Sequence, residues 1–263
     1  MRFDRTVLGR TGLEVARLGL GASYGVSTAA VERTFEQGVN YFYWGSMRRP
    51  AFGEALRNFA SRRDRFVLVL QSYSRVAGLI QWSIERALRK LRLDYGDILL
   101  LGLWNHRLPP RILEACYRVR ERGLVRFLAL STHHRPLAPE LARETDFDVI
   151  HLRYNAVHRG AERDVFPHLP QEHRPGIVCF TATSWGQLLG HRRIPKDQRV
   201  PTATDCYRFV LSHPDVNVCL AGPSNAVQME QALEALRRGP MTEEEPAWMR
   251  RVGDAIYGKR RTA

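Results

Sequence analysis

The apolar positions of this chain fall into eight short runs separated by longer amphipathic stretches. The runs are RLGLGA (17–22), NYFYW (40–44), FVLVLQS (66–72), DILLLGL (97–103), VRFLALS (125–131), VIHLRY (149–154), GIVCFTA (176–182) and VNVCLAG (216–222). Each is nearly continuous rather than alternating, as expected of strands buried on both faces of a parallel sheet. The segments between them read as helices. Residues 28–37 place Val31 and Phe35 four apart and stop at Gly38. Residues 79–92 put Leu79, Ile84, Leu88 and Leu91 on one stripe. Residues 110–122 open with Pro110 and close before Gly123. Residues 203–212 and 224–238 supply two later helices, and the tail from Thr242 adds a final one.

Eight strands, each followed by a helix, predict a (β/α)8 TIM barrel. An open doubly wound sheet is the alternative, but no G-x-G-x-x-G stands in the first turn. Gly9 to Gly12 reads as the turn of an extra N-terminal β-hairpin, placed to plug the N-terminal mouth of the barrel. No linker interrupts the pattern, so residues 1–263 are expected to form a single domain.

Composition narrows the picture little. No run of eighteen apolar residues occurs and the N-terminus lacks the apolar core of a signal peptide, so no membrane span and a cytoplasmic location are expected. Cys116, Cys179, Cys206 and Cys219 show neither C-x-x-C spacing nor a metal-ligand pattern with His, and read as reduced, buried thiols. The formal net charge is +13, and only three of the 40 basic residues are lysines (Lys90, Lys196 and Lys259). Short arginine clusters occur at 62–65, 120–126 and 258–261, but no nucleic-acid recognition motif accompanies them. The excess therefore reads as a solvated surface, with no nucleic-acid partner expected.

In a barrel of this kind chemistry sits at the C-terminal strand ends. Those ends are aromatic and hydroxylic here: Tyr43 and Trp44, Ser72 and Tyr73, Trp104, Ser131 to His133, Tyr154, Phe180 to Trp185. Carboxylates are scarce among them; Asp94 and Asp97 precede their strand and belong at the other end. His133 and His151 lack an acid to complete a metal site, and Ser72, Ser131 and His133 lack the orienting Asp of a triad, so no metal is expected. In AGPSNAVQMEQALEAL, Ser224 or Asn225 is a natural N-cap at a helix start able to take an anion.

At these residues the chain resembles the aldo-keto reductases. LGRTGLEVARLGLG is similar to that family's opening hairpin and first strand, and GVNYF…FGEALR to its second strand, loop and helix. LRLDYGDILLL, RGLVRFLALST, YNAVHRGAERDVFP, SWGQLL and AGPSNAVQMEQALEAL follow in family order. The resemblance implies an NAD(P)H-dependent oxidoreductase acting on a small molecule. It places Ser23, Ser131, Thr132, His151, Phe180, Ser184, Ser224, Asn225 and Gln228 at the cofactor. Ser131 matches the Ser that holds the nicotinamide carboxamide. Thr132 stands where Asn is common, His151 where Gln is common, and Phe180 where a Tyr stacks on the ring. NADP or NAD is implied, NADP slightly ahead; Gln228 stands near where NADP-preferring members often carry Arg, which argues against a 2′-phosphate and keeps the choice open.

The family's catalytic tetrad does not carry over. Tyr43 stands at its Asp, Arg48 at its Tyr, Ser72 at its Lys and Gly102 at its His. Three readings follow. The first is an oxidoreductase with a rebuilt site, in which Tyr43 is the proton donor and Arg48 or Arg75 a supporting cation. The second is a catalytically inactive relative that binds a nucleotide, a small ligand or a partner. The third is a changed reaction, such as isomerisation or dehydration, in a biosynthetic pathway. An aromatic rim of Tyr43, Trp44, Tyr73, Trp104 and Trp185 would suit a flat or apolar substrate in any of them.

Overall fold

Each apolar run pairs in parallel with the next, and the last pairs back onto the first, closing an eight-stranded barrel in the computed structural model, which describes residues 2–45, 49–144 and 147–261. A two-stranded hairpin, β1 (Thr6–Val7) and β2 (Glu14–Val15), comes first. The barrel strands are β3 (Leu18–Gly21), β4 (Tyr41–Trp44), β5 (Val67–Ser72), β6 (Ile98–Leu101), β7 (Phe127–Thr132), β8 (Val149–Arg153), β9 (Gly176–Phe180) and β10 (Val218–Ala221). Around them lie α1 (Thr28–Glu36), α2 (Pro50–Asn58), α3 (Ala77–Leu91), α4 (Pro110–Glu121), α5 (Leu137–Arg143), α6 (Ala161–Asp164), α7 (Ala203–Leu211), α8 (Ala226–Arg238) and α9 (Glu245–Arg261). The barrel reading therefore holds and the open sheet is discarded. No helix among the described residues is long and apolar enough to cross a membrane.

Successive strand side chains point to opposite faces, and this divides the core in two. The barrel interior holds Tyr41, Val67, Val69, Ile98, Leu100, Ala129, Val149, Val178 and Val218. The layer between barrel and helices holds the alternate residues, among them Phe42, Leu68, Leu70, Leu99, Leu101 and Leu130. Leu8 and Val15 of the hairpin, both fully buried, belong to the interior set, so the hairpin does close the N-terminal mouth. Its turn needs glycine: Gly9 has φ of +49°, and a Cβ there would lie 2.2 Å from the Gly176 nitrogen. At the same end, buried Asp97 accepts from the Leu68 N–H (2.8 Å), Arg63 (2.6 Å) and Arg126 (3.2 Å), tying β5, β6 and β7 together.

The helices end where their local chemistry says. Ser27, Thr202 and Asn225 cap α1, α7 and α8, Thr202 with Asp205 in a reciprocal box. One predicted stripe shifts by a residue. In α3 the buried positions are Ile80, Ile84, Ala87, Leu88 and Leu91, while Leu79 stays half exposed. Ile80 completes the i, i+4, i+8 row with Ile84 and Leu88, which Leu79 cannot.

Candidate active site

At the C-terminal end of the barrel the strands open into a cavity of about 620 Å³. Its walls carry aromatic rings (Tyr24, Tyr43, Tyr73, Phe180, Trp185, Tyr207) and the neutral polar side chains of Gln71, Ser131, His151, Gln228 and Gln231. Among the described lining residues there is no Asp, Glu, Lys or Arg, in a chain where a quarter of the residues are charged.

Tyr43 and Gln71, from adjacent strands, form the centre of one wall. The Tyr43 hydroxyl donates to Gln71 Oε1. Two glycines make this pair possible. A Cβ on Gly45 would fall 2.3 Å from the Tyr43 oxygen, and one on Gly102 would fall 2.3 Å from Gln71 Nε2. Gln71, with the Tyr73 ring 2.4 Å from the same point, thus occupies the space a side chain at position 102 would need. Burial raises the Tyr43 pKa, and the phenols of Tyr73, Tyr41 and Tyr24 raise it further. Of the two candidate supporting cations, Arg75 is turned elsewhere: it donates to the carbonyls of Gly102 (3.1 Å) and Leu103 (2.6 Å) and lies 4.0 Å over the Trp104 ring.

The register corrects the placement of Ser72. As the alternate residue to Gln71 it faces the helices, where its hydroxyl accepts from Ser83 at 3.2 Å. The strand-end side chain that β5 turns into the cavity is Gln71. Gly102 does lie at the end of β6, beside the Tyr43–Gln71 pair. Arg48 lies outside the described residues, as does the side chain of Ser23.

Ser131, His151 and Phe180 from β7, β8 and β9 share the cavity's inner end. His151 is buried, its Nε2 3.0 Å from the hydroxyl of Tyr41. Burial lowers its pKa to about 3, so the ring is neutral. At the outer end Ser224 and Gln228 line the wall where α8 begins. Asn225 Oδ1 accepts from the Gln228 N–H (3.0 Å), and Gln228 Oε1 accepts from the Ser224 N–H (2.8 Å).

Three expected cofactor residues do not line the cavity. Thr132 alternates with Ser131 and turns outward, its hydroxyl 3.3 Å from Asn105 Oδ1. Ser184, within the loop after β9, is fully buried, its hydroxyl without a hydrogen-bond partner among the described residues. Asn225 serves as the helix cap. The aromatic rim also changes: Trp44 and Trp104 are buried in the helix layer. Tyr24, from the turn Ala22–Tyr24, and Tyr207, from α7, take part instead. Neither belongs to a barrel strand, a helix cap or a motif by which the sequence marked site residues.

The barrel with its site at this mouth falls into a known class. The profile of the aldo/keto reductase family matches residues 27–204, well over half of the chain, and the protein belongs to that family of oxidoreductases. Among characterised relatives, it is 24% identical over 156 residues to L-galactose dehydrogenase of Arabidopsis thaliana, a match covering 49% of each chain. The match thus spans about half the length of that relative. Among solved structures, it resembles aldo-keto reductase AKR11C1 from Bacillus halodurans in its holo form (TM-score 0.78, 21% identity, 94% of this chain and 95% of that one) and its apo form (TM-score 0.76).

Proposed function

We propose that the protein binds a nicotinamide dinucleotide in the barrel mouth and acts with it as an oxidoreductase on a small, uncharged, flat or apolar molecule. The observation that carries this reading is the single cavity joining Ser131, His151 and Phe180 at one end to Ser224 and Gln228 at the other. These groups fit the cofactor. A hydroxyl and a neutral imidazole suit a carboxamide, a phenyl face suits a heteroaromatic ring, and a helix start suits a phosphate. Such a cofactor, when bound, supplies the hydride. The chain's own residues would hold its two ends and exclude water between the rings of Tyr24, Trp185 and Tyr207. The absence of a lining cation among the described residues favours NAD over NADP, against the sequence-based preference, since nothing there offsets a 2′-phosphate.

Tyr43 does not act as the proton donor in this reading. Its hydrogen is committed to Gln71 and its pKa is raised. The uncharged walls favour a second reading, binding without turnover. A panel of apolar aldehydes, ketones and quinones, followed by loss of NADH or NADPH absorbance, separates the two. Saturable turnover of any member supports the oxidoreductase. Dinucleotide binding with no turnover across the panel leaves the second reading standing and overturns the first.

A further inference from the structure

The interior of the barrel holds one polar contact that the family resemblance does not call for. Tyr41 is completely buried, its ring against Gly19, where a Cβ would fall 2.7 Å from it. Around it are Val67, Val69, Val149 and Val178. Among the described residues its hydroxyl has one hydrogen-bond partner, His151 Nε2 at 3.0 Å. His151 in turn reaches the cavity beside Ser131.

A phenol and a neutral imidazole can share one hydrogen bond in two ways. If Nε2–H donates to Tyr41, the phenol hydrogen has no acceptor in an apolar interior, the costlier arrangement. If the phenol donates to Nε2, the buried phenol is satisfied and the ring proton sits on Nδ1, where it is left to donate. We infer that Tyr41 is a positioning residue that holds His151 as an Nδ1–H donor toward the cavity, so that this wall reads a carbonyl oxygen on the ligand. An amide side chain offers both a donor and an acceptor; His151 held by Tyr41 offers a donor alone. The burial that keeps the imidazole neutral is consistent with this.

The ligand side of this inference rests on the dinucleotide reading; the histidine side does not. Nitrogen-15 NMR of histidine-labelled protein tests the histidine directly, the His151 signals being those missing from His151→Gln. The expected pattern is a protonated Nδ1 and a lone-pair Nε2 in wild type, with loss of that single pattern in Tyr41→Phe. A protonated Nε2 in wild type overturns the inference, as does an unchanged pattern in Tyr41→Phe. Binding supplies the second arm. Acetylpyridine adenine dinucleotide keeps the carbonyl oxygen of NAD but replaces the amide nitrogen with a methyl group. It should bind within about twofold of NAD, and Tyr41→Phe should weaken both by about five- to tenfold, the loss of one neutral hydrogen bond. Tyr41→Phe combined with His151→Gln should restore NAD binding, because an amide needs no phenol to orient its proton; failure to restore it in a folded double variant counts against the inference. If neither dinucleotide binds wild type, the cofactor reading fails and the histidine spectrum alone decides the role of Tyr41.

Discussion

At the scale of single residues, the site is a set of mutually fitted neutral groups. Tyr43 and Gln71 share a hydrogen bond in room left by Gly45 and Gly102. Tyr43→Phe should therefore lower turnover by less than about tenfold, where loss of a general acid costs about 10²–10⁴. It should cost about 1–2 kcal/mol in urea unfolding by leaving Gln71 Oε1 short of a donor. Gly102→Ala should displace Gln71 and cost a similar amount, about 1–2 kcal/mol. Repeating it in a Gln71→Ala background should recover at least about 0.5 kcal/mol, and strictly additive effects would contradict the shared space. These residues also mark where the sequence was hard to read. In FVLVLQS both faces of the strand are buried, so the run is apolar up to Gln71 and its in-and-out parity is not written in the pattern. The sequence pointed to Ser72, and only the register with β4 and β6 turns Gln71 to the cavity in its place.

At the scale of elements, legibility was greater. Apolar runs of strand length, separated by helix-length stripes with glycine stops, are dictated by burial and backbone geometry, and β3 to β10 all lie where the runs are. The short α5 and α6 were missed because seven and four residues hold too few turns to display a stripe. One contact between elements carries a pH dependence. Arg208 of α7, buried, donates to both oxygens of Glu245 at the start of α9 (2.6 and 2.8 Å) and to the carbonyls of Gly239 and Pro240. These bonds to Arg208, above all, lower the Glu245 pKa from 4.5 to about 2. The folded state thus holds the carboxylate more tightly than the unfolded chain does. The stabilisation is full above about pH 5 and is lost as pH falls from there toward 2. Glu245→Gln should flatten that part of the stability–pH curve in acid titrations monitored by circular dichroism; an unchanged acid slope would contradict it.

At the scale of the whole molecule, the described lining of the cavity is free of charged side chains and the thiols are kept inside. All four cysteines are buried, and burial raises the pKa of each, that of Cys116 to about 12. A disulfide reagent at mildly alkaline pH should label none of them in the native state and all four at the rate of global unfolding. Fast labelling of one would reveal local opening. Among the described residues that line the barrel mouth there is no arginine, although the chain carries 37. The central claim is that this uncharged mouth is a dinucleotide site, and calorimetric titration of the purified protein with NADH and NADPH tests it most directly. The account predicts saturable one-to-one binding, tighter for NADH and abolished when Ser131→Trp fills the inner end of the cavity. No binding of either dinucleotide at millimolar concentration, or equal binding by Ser131→Trp, would contradict it.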